Sequence, residues 1–175
     1  MLWALNMDGR DRDFIQHIPR LRRYARALTA DRARADDLVQ DTLERALVKF
    51  HLWQPESDLR AWLFTIMHNV YVNQVRSSLS GMTMALDDET ILPSMRATQS
   101  DRLEVRDLQQ ALLRVPEEQR EVLLLVGIEQ MTYEEAAGVL GIPIGTVMSR
   151  RSRARERLRA VLAGAGAHSS LKVVK

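Results

Sequence analysis

The segment that decides the fold is TYEEAAGVLGIPIGTVMSRRSRARERLRAVL, residues Thr132–Leu162, near the carboxyl end of the chain. Its pattern predicts two helices separated by the turn Gly141-Ile142-Pro143, because glycine ends helices and proline begins them. Thr132 is suited to cap the first helix, and Glu135 three positions later completes a capping box. The segment therefore predicts a helix-turn-helix.

The second helix of this segment carries six arginines against one glutamate and has two different faces. Its apolar face comprises Val147, Ala154, Leu158 and Leu162. On another face, at helical spacing, lie Thr146, Ser149, Arg150, Arg153 and Arg157. An arginine-rich helix is often only a solvated surface. Here the tight turn and the capping box favour a helix that lies in a DNA major groove.

Two kinds of DNA contact are expected from this second helix. Because arginine pairs bidentately with guanine, Arg150 is expected to touch a base edge. The small residues Thr146 and Ser149 allow the backbone to approach the groove closely. Phosphate contacts are expected from Arg153, Arg155 and Arg157.

The composition excludes several classes of protein. The chain has 175 residues, a formal net charge of +2 and no cysteine, which excludes disulfides and thiolate metal sites and fits the cytoplasm. The four histidines are scattered, so we expect no metal and no cofactor. No phosphate-binding glycine loop or nucleophile–base pair points to an enzyme. No apolar run approaches the roughly 20 residues of a membrane span, so no membrane insertion is expected.

The first half of the chain predicts three helices, and no strand-like alternation appears anywhere. Asp11–Leu28 is the first, with a kink or a late start at Pro19. The second runs to about Phe50 and has an apolar stripe formed by Leu38, Val39, Thr42, Leu43, Ala46, Leu47 and Phe50. The third begins at Leu59 after an N-cap at Ser57 or Asp58 and ends near Ser77.

These elements predict an all-α fold of two small helical domains joined by a flexible linker, the second domain containing the helix-turn-helix. The first domain is expected at residues 10–78 and the linker at 79–101, where periodicity is lost. The second domain is expected at residues 102–163, followed by a disordered tail at 164–175.

The chain resembles the extracytoplasmic-function (ECF) sigma factors of bacteria over residues Asp11–Leu162. The resemblance is carried by DDLVQDTLERAL and RAWLFTIMHNVYVNQVR in the first domain and by REVLLLVGIEQMTYEEAAGVLGIPIGTVMSRRSRARERLR in the second. Within that family, the segment IPRLRRYARALTADRARADDLVQDTLERAL is most similar to the general-stress group. Such proteins bind core RNA polymerase, direct it to promoter DNA, help open the duplex and are held inactive by an anti-sigma factor.

The resemblance assigns three surfaces. An acidic face of the second helix would dock on the clamp helices of the polymerase largest subunit. Without the resemblance, such a face would be interpreted as ordinary solvated surface. Its members are Asp37, Gln40, Asp41 and Glu44. Minus-ten DNA would be held by Trp53, Gln54, Pro55, Ser57, Thr65, Asn69 and Arg76. Minus-thirty-five DNA would be read by Gly145, Thr146, Ser149, Arg150, Arg153, Arg155 and Arg157.

Two other functions stay open at this point. A helix-turn-helix regulator that acts without polymerase would bind duplex DNA strongly by itself. A sigma-like mimic that titrates an anti-sigma factor would not need the arginines of the second helix. In addition, Arg151 stands where ECF proteins often carry leucine or valine. If that position packs inward, we expect either that Arg151 snorkels or that the helix is rotated from the faces assigned above.

Overall fold

The computed structural model describes the backbone of residues 9–82 and 108–169 and the side chains of residues 14–77 and 108–163. All regular secondary structure within these ranges is helical, which confirms the predicted all-α class. The first helical unit consists of α1 (Gly9–Thr29), α2 (Arg32–Lys49), a 3₁₀ turn (Phe50–Leu52) and α3 (Leu59–Met82). The second helical unit consists of α4 (residues 108–113), α5 (Glu117–Gly127), α6 (Tyr133–Leu140) and α7 (Ile144–Ser169).

Short acidic side chains begin two helices of the first unit. The Asp31 carboxylate accepts a hydrogen bond from the backbone N–H of Arg34 at 2.8 Å and caps α2. The Asp58 carboxylate accepts from the backbone N–H of Arg60, also at 2.8 Å, and caps α3. Of the two predicted caps for α3, the structure selects Asp58.

Several helix boundaries differ from the predicted ones. α1 continues through Pro19 instead of starting after it. α3 extends to Met82, so the first residues of the predicted linker are helical. α7 continues to Ser169, so a disordered tail does not begin at residue 164. Extending an existing helix needs no new nucleus, which accounts for the longer α7 even though Gly164 and Gly166 are poor helix formers. The rest of the predicted linker and tail lies outside the described residues.

Each unit has its own buried side chains. The helices α1, α2 and α3 pack together over Leu21, Leu28, Leu38, Leu63 and Val70. In the second unit the almost fully buried positions include Val115, Val122, Leu125, Val147 and Ala154. No described helix is long and apolar enough to cross a membrane.

The two units also pack against each other. α3 lies against α6, and α1 lies against α5. The buried apolar side chains of both units form one continuous cluster across this contact. We call the contact between the two units, where α1 and α3 lie against α5 and α6, the seam. In that cluster the rings of Tyr24 and Phe64 meet edge to face, with centroids 5.1 Å apart. The sequence pattern predicted two units but not their contact.

Candidate nucleic-acid interface

The helix-turn-helix forms as predicted, and its two ends are fixed by specific contacts. The Thr132 hydroxyl accepts a hydrogen bond from the backbone N–H of Glu135 at 3.1 Å, and the Glu135 carboxylate accepts from that of Thr132 at 2.7 Å. This is the expected capping box. Gly141 ends α6 with a φ of +63°, a left-handed conformation that favours glycine. The turn into α7 is therefore set by the local sequence.

The buried face of α7 fixes how that helix is presented. Val147 and Ala154 are completely buried, and Leu158 packs partly against the core. Because side chains one turn apart share a face, this packing directs the opposite side of α7 to solvent. The predicted residues Gly145, Ser149, Arg153, Arg155 and Arg157 are all exposed, whereas Thr146 and Arg150 are half-buried.

Arginines lie on both flanks of the exposed side of α7. One flank carries Arg150, Arg153 and Arg157 at helical spacing. The other flank lines an open groove of about 390 Å³ together with Tyr133, and its arginines are Arg151, Arg155 and Arg159. A helix in the major groove passes between two phosphate backbones, so cations on both flanks suit that placement.

Arg150, the predicted base contact, already has a partner within the protein. Its guanidinium forms an ion pair with the Glu118 carboxylate in the first turn of α5. The Arg150 side chain is 24% exposed, whereas that of Glu118 is 70% exposed. The pair holds Arg150 beside the helix and leaves its carboxylate partner accessible to water.

The predicted acidic face of α2 lies on the side opposite the buried Leu38, Val39 and Ala46. Asp37, Gln40 and Glu44 are exposed, and Asp41 is half-buried. The Gln40 amide donates to Glu44 at 3.0 Å. The Gln74 amide of α3 donates to Asp41 at 2.9 Å, so Asp41 is partly committed to holding α2 and α3 together.

The acidic face continues into an exposed apolar patch. Leu47 is 62% exposed, Val48 is 74% exposed, and Leu52 of the 3₁₀ turn is 64% exposed. The prediction that Leu47 belongs to the buried stripe of α2 is therefore wrong. Leu47 lies seven residues after Gln40, about two turns along the same side of the helix, and so shares the solvent face. Phe50 does pack against the core.

The loop predicted to hold an unstacked base is built around an aromatic stack. Trp53 is half-buried, and its ring stacks on Phe50 with centroids 5.4 Å apart and planes 13° apart. Gln54, Pro55 and Ser57 are exposed, and the Ser57 hydroxyl donates to the Gln54 carbonyl at 2.7 Å. One face of Trp53 is thus occupied by Phe50.

The three predicted α3 residues lie along one side of that helix, away from the seam. Asn69 and Arg76 are exposed, and Thr65 is half-buried with its hydroxyl donating to the Ala61 carbonyl at 2.9 Å. The seam side of α3 instead presents Arg60 and His68. The flank and the loop before α3 are therefore both open to solvent while the units are in contact.

The seam raises the pKa values of three groups. Complete burial, followed by the charge of Glu121, raises the pKa of Tyr24 well above its usual 10.0. Burial, followed by the charge of Glu117, raises the pKa of Tyr71 above 10.0. The pKa of Glu117 is raised from 4.5, first by burial and then by Glu121. The seam thus favours the uncharged forms of both tyrosines.

Known protein families match both halves of the chain. Residues 14–68 match the family model described as the sigma2 domain of PhyR, and residues 106–158 match sigma-70 region 4. The ECF RNA polymerase sigma factor EcfG of Rhodopseudomonas palustris strain TIE-1 is 39% identical over 150 residues, which cover 86% of this chain and 83% of that protein. The chain belongs to the ECF RNA polymerase sigma factors.

Two solved structures resemble this ECF sigma factor along most of its length. The sigma factor RpoE, in complex with the anti-sigma factor NepR from Bartonella quintana, is 33% identical with a TM-score of 0.74, covering 89% of this chain and 97% of that one. CnrH, in complex with the cytosolic domain of CnrY, is 29% identical with a TM-score of 0.68, covering 90% and 91% of the two chains.

Sequence reasoning missed part of the basic surface of this ECF sigma factor. The Arg151 guanidinium donates to the Tyr133 hydroxyl at 2.7 Å and lies 5.6 Å from the centre of that ring. Arg151 is therefore tied to the start of α6, which accounts for an arginine where an apolar residue was expected. The sequence does contain a pattern that predicts this second basic flank of α7, because Arg151, Arg155 and Arg159 repeat every four residues.

Proposed function

We propose that this ECF sigma factor is an alternative sigma factor that binds core RNA polymerase and directs promoter-specific transcription initiation in the cytoplasm. The observation that carries the proposal is the packing of α7, which buries Val147 and Ala154 and leaves arginines exposed on both flanks. That arrangement suits minus-thirty-five DNA, with phosphates contacted on each side of the groove. The protein acts by binding rather than by catalysis.

The acidic face of α2 supports the polymerase half of the proposal. Asp37 and Glu44 project from it, and the apolar patch of Leu47, Val48 and Leu52 extends it. Acidic groups steer a basic partner and set its register, and apolar groups supply contact area. We assign the face of Asp37, Gln40, Asp41 and Glu44 to the polymerase.

The loop before α3 and the exposed flank of α3 support contact with minus-ten DNA. Gln54 and Ser57 present polar groups beside the half-buried Trp53, and Asn69 and Arg76 follow along one side of α3. An unstacked base needs an aromatic or planar platform, which the outer face of Trp53 and the Gln54 amide provide. Pro55 and Thr65 complete this surface.

Regulation by an anti-sigma partner is part of the proposal. The similar RpoE and CnrH structures were both solved with a bound partner, the anti-sigma factor NepR for RpoE and the cytosolic domain of CnrY for CnrH. Likeness to these proteins along about nine-tenths of the chain supports a partner of the same kind. Membership of the general-stress group is proposed on the sequence resemblance.

Run-off transcription with purified core polymerase on a promoter library tests the proposal. The wild-type chain is expected to initiate from a defined subset of promoters. Asp37→Arg, which reverses a charge on the exposed face of α2, is expected to abolish polymerase binding. Asp36→Arg makes the same change one residue earlier on a flank of that helix and serves as the matched control. Failure of the wild-type chain to initiate anywhere refutes the proposal.

A gel shift with and without core polymerase separates the two rival functions. A regulator that acts alone would bind duplex DNA equally well in both conditions. A mimic that only titrates an anti-sigma factor would bind DNA in neither. The sigma-factor proposal requires tight promoter binding only when the polymerase is present.

A further inference from the structure

An arginine on one flank of α7 is bonded to the other helix of the helix-turn-helix. The Arg151 guanidinium donates to the Tyr133 hydroxyl of α6 at 2.7 Å and lies 5.6 Å from the centre of that ring. Both side chains are half-buried, and both line the open groove of about 390 Å³ beside α7. We call Tyr133 and Arg151 the anchored pair. The pair joins the first residue of α6 to the α7 flank that lies opposite Arg150.

The anchored pair has hydrogen-bond donors that the folded chain does not use. A guanidinium carries five N–H groups, and Arg151 gives one of them to Tyr133. The Tyr133 hydroxyl accepts that bond, and its own hydrogen has no acceptor among the described residues. A ligand that is negatively charged and accepts several hydrogen bonds fits such a pair. Phosphate groups have this chemistry.

The charges around the groove favour an anion as the occupant. Arg155 and Arg159 line the groove on the turns that follow Arg151, and Glu156 is its one carboxylate. These three neighbours are exposed, and within residues 14–77 and 108–163 none of them has an ion pair. Three positive charges thus face one negative charge, which attracts an anionic ligand.

The place of the anchored pair favours the DNA backbone over the base edges. The bond to Tyr133 holds the Arg151 guanidinium beside α6, away from the outward side of α7. When a helix lies in the major groove, its outward side faces the base edges and its flanks face the phosphates. Arg151 is therefore placed for a contact that does not depend on the DNA sequence.

Anchoring also lowers the entropic cost of that contact. A long, free arginine side chain loses conformational entropy when it binds a phosphate. The planar guanidinium of Arg151 is already oriented by the Tyr133 hydroxyl, so less of this entropy remains to be lost on binding. Tyr133 is thus a positioning residue that acts through Arg151, and its hydroxyl hydrogen adds a second donor.

We propose that Tyr133 and Arg151 form a phosphate-binding site for one backbone phosphodiester of the DNA strand that runs beside α6. This inference deepens the proposed function and rests on it for the identity of the ligand. The site distinguishes this chain from ECF proteins that carry leucine or valine at the position of Arg151, because an apolar side chain there provides no donor.

The salt dependence of DNA binding tests the site. The affinity of the full chain for a fluorescent duplex of random sequence is measured by anisotropy, starting at low salt. Each neutralised phosphate contributes about 0.9 to the slope of log affinity against log salt concentration. Arg151→Leu should therefore make the slope shallower by about 0.9. Arg22→Leu, which removes an exposed arginine of α1, is the matched control and should leave the slope unchanged.

Two conservative variants separate the charge from its anchor. Arg151→Lys keeps the charge but loses the planar fork, so the slope should stay at the wild-type value while the affinity falls. Tyr133→Phe keeps the ring and should lower the affinity about two- to tenfold without changing the slope. In the Arg151→Leu background, Tyr133→Phe should have a smaller effect, because both side chains act on one phosphate. Urea denaturation confirms that each variant is folded.

The outcomes separate the phosphate site from the sigma-factor proposal. An unchanged slope for Arg151→Leu overturns the site, and so does a wild-type chain that binds no duplex at low salt. In the holoenzyme, Arg151→Leu should weaken binding to every selected promoter by the same factor, and a loss confined to one base pair overturns the site.

A parallel measurement of affinity for core polymerase covers the other macromolecular partner. If Arg151→Leu weakens binding to the polymerase and leaves DNA binding unchanged, the anchored pair belongs to the polymerase interface and the phosphate site is overturned. If the slope changes as expected but no promoter supports initiation, the phosphate site stands and the sigma-factor proposal fails.

Discussion

Replacing Arg150 with alanine separates two ways in which α7 can contact DNA. A bidentate contact to a guanine edge contributes about 1–3 kcal/mol, so Arg150→Ala is expected to weaken binding to the cognate minus-thirty-five element roughly five- to 150-fold. The loss should be concentrated at one base pair, where discrimination between sequences is relaxed. A phosphate contact would instead lower affinity by the same factor on every sequence.

The ion pair between Glu118 and Arg150 limits how much a substitution of Glu118 can change promoter affinity. Because the Glu118 carboxylate is 70% exposed, its ion pair with Arg150 is worth less than about 1 kcal/mol. Glu118→Gln frees Arg150 from that competition and should raise promoter affinity by no more than about fivefold without changing sequence preference. Glu134→Gln, on the exposed acid in the first turn of α6, is the matched control.

The assay is competitive binding of the reconstituted holoenzyme to promoters selected from the library, with each base pair of the minus-thirty-five element varied in turn. In the Arg150→Ala background, Glu118→Gln should have no further effect. A gain in affinity that persists there would show that Glu118 acts on the DNA phosphates directly, and the reasoning from the ion pair would be refuted.

Two further predictions concern stability. Gly141→Ala should lower the free energy of unfolding by about 1–2 kcal/mol, because φ is +63° at that position. Gly138→Ala should instead raise it by about 0.4–1 kcal/mol, because a Cβ at that helical position meets nothing within 4 Å. Urea denaturation that ranks the two variants the other way contradicts the assigned cap. Because burial raises the folded-state pKa of Tyr24, the contribution of that hydroxyl to stability is complete below about pH 10 and is lost as the pH rises through the folded-state pKa. Tyr24→Phe should therefore lose less of its free energy of unfolding than the wild type above about pH 10, by at most about 1.4 kcal/mol per pH unit. Equal pH dependence in the two proteins would contradict the burial of that hydroxyl.

Local signals made the helix-turn-helix predictable from sequence. The capping box depends on Thr132 and Glu135, which are three residues apart, and the turn depends on Gly141. Such contacts form within one helical turn, so the sequence contains all their participants. The apolar face of α7, with Val147 and Ala154 buried, was predictable for the same reason.

Contacts between distant residues were not predictable in this way. The exposure of Leu47 does not belong to this class, because it follows from the helical spacing of Leu47 to Gln40. The pairing of Arg150 with Glu118, 32 positions apart in the chain, depends on how α5 and α7 pack. The Arg23–Glu129 pair spans 106 positions and depends on the whole arrangement of the two units.

For the predicted site residues on regular helices, periodicity indicates the exposed face, whereas for those in the loop the sequence offers no such rule. The faces of Asp37, Gln40 and Glu44 follow directly from helical periodicity. The position of Trp53 depends on its stack with Phe50, which the loop sequence does not reveal. Periodicity assigns faces, but it does not show which aromatic side chains find one another.

Glu135 belongs to two structures at once. One carboxylate oxygen accepts from the Thr132 backbone at the start of α6, and the other meets Arg60 of the neighbouring unit. Separation of the two units would therefore break the contact between Arg60 and Glu135, while Glu135 would still cap the first turn of α6. Amide hydrogen exchange at the first turn of α6 should therefore be faster in any state in which the two units are apart, so that exchange rate reports on the contact between them.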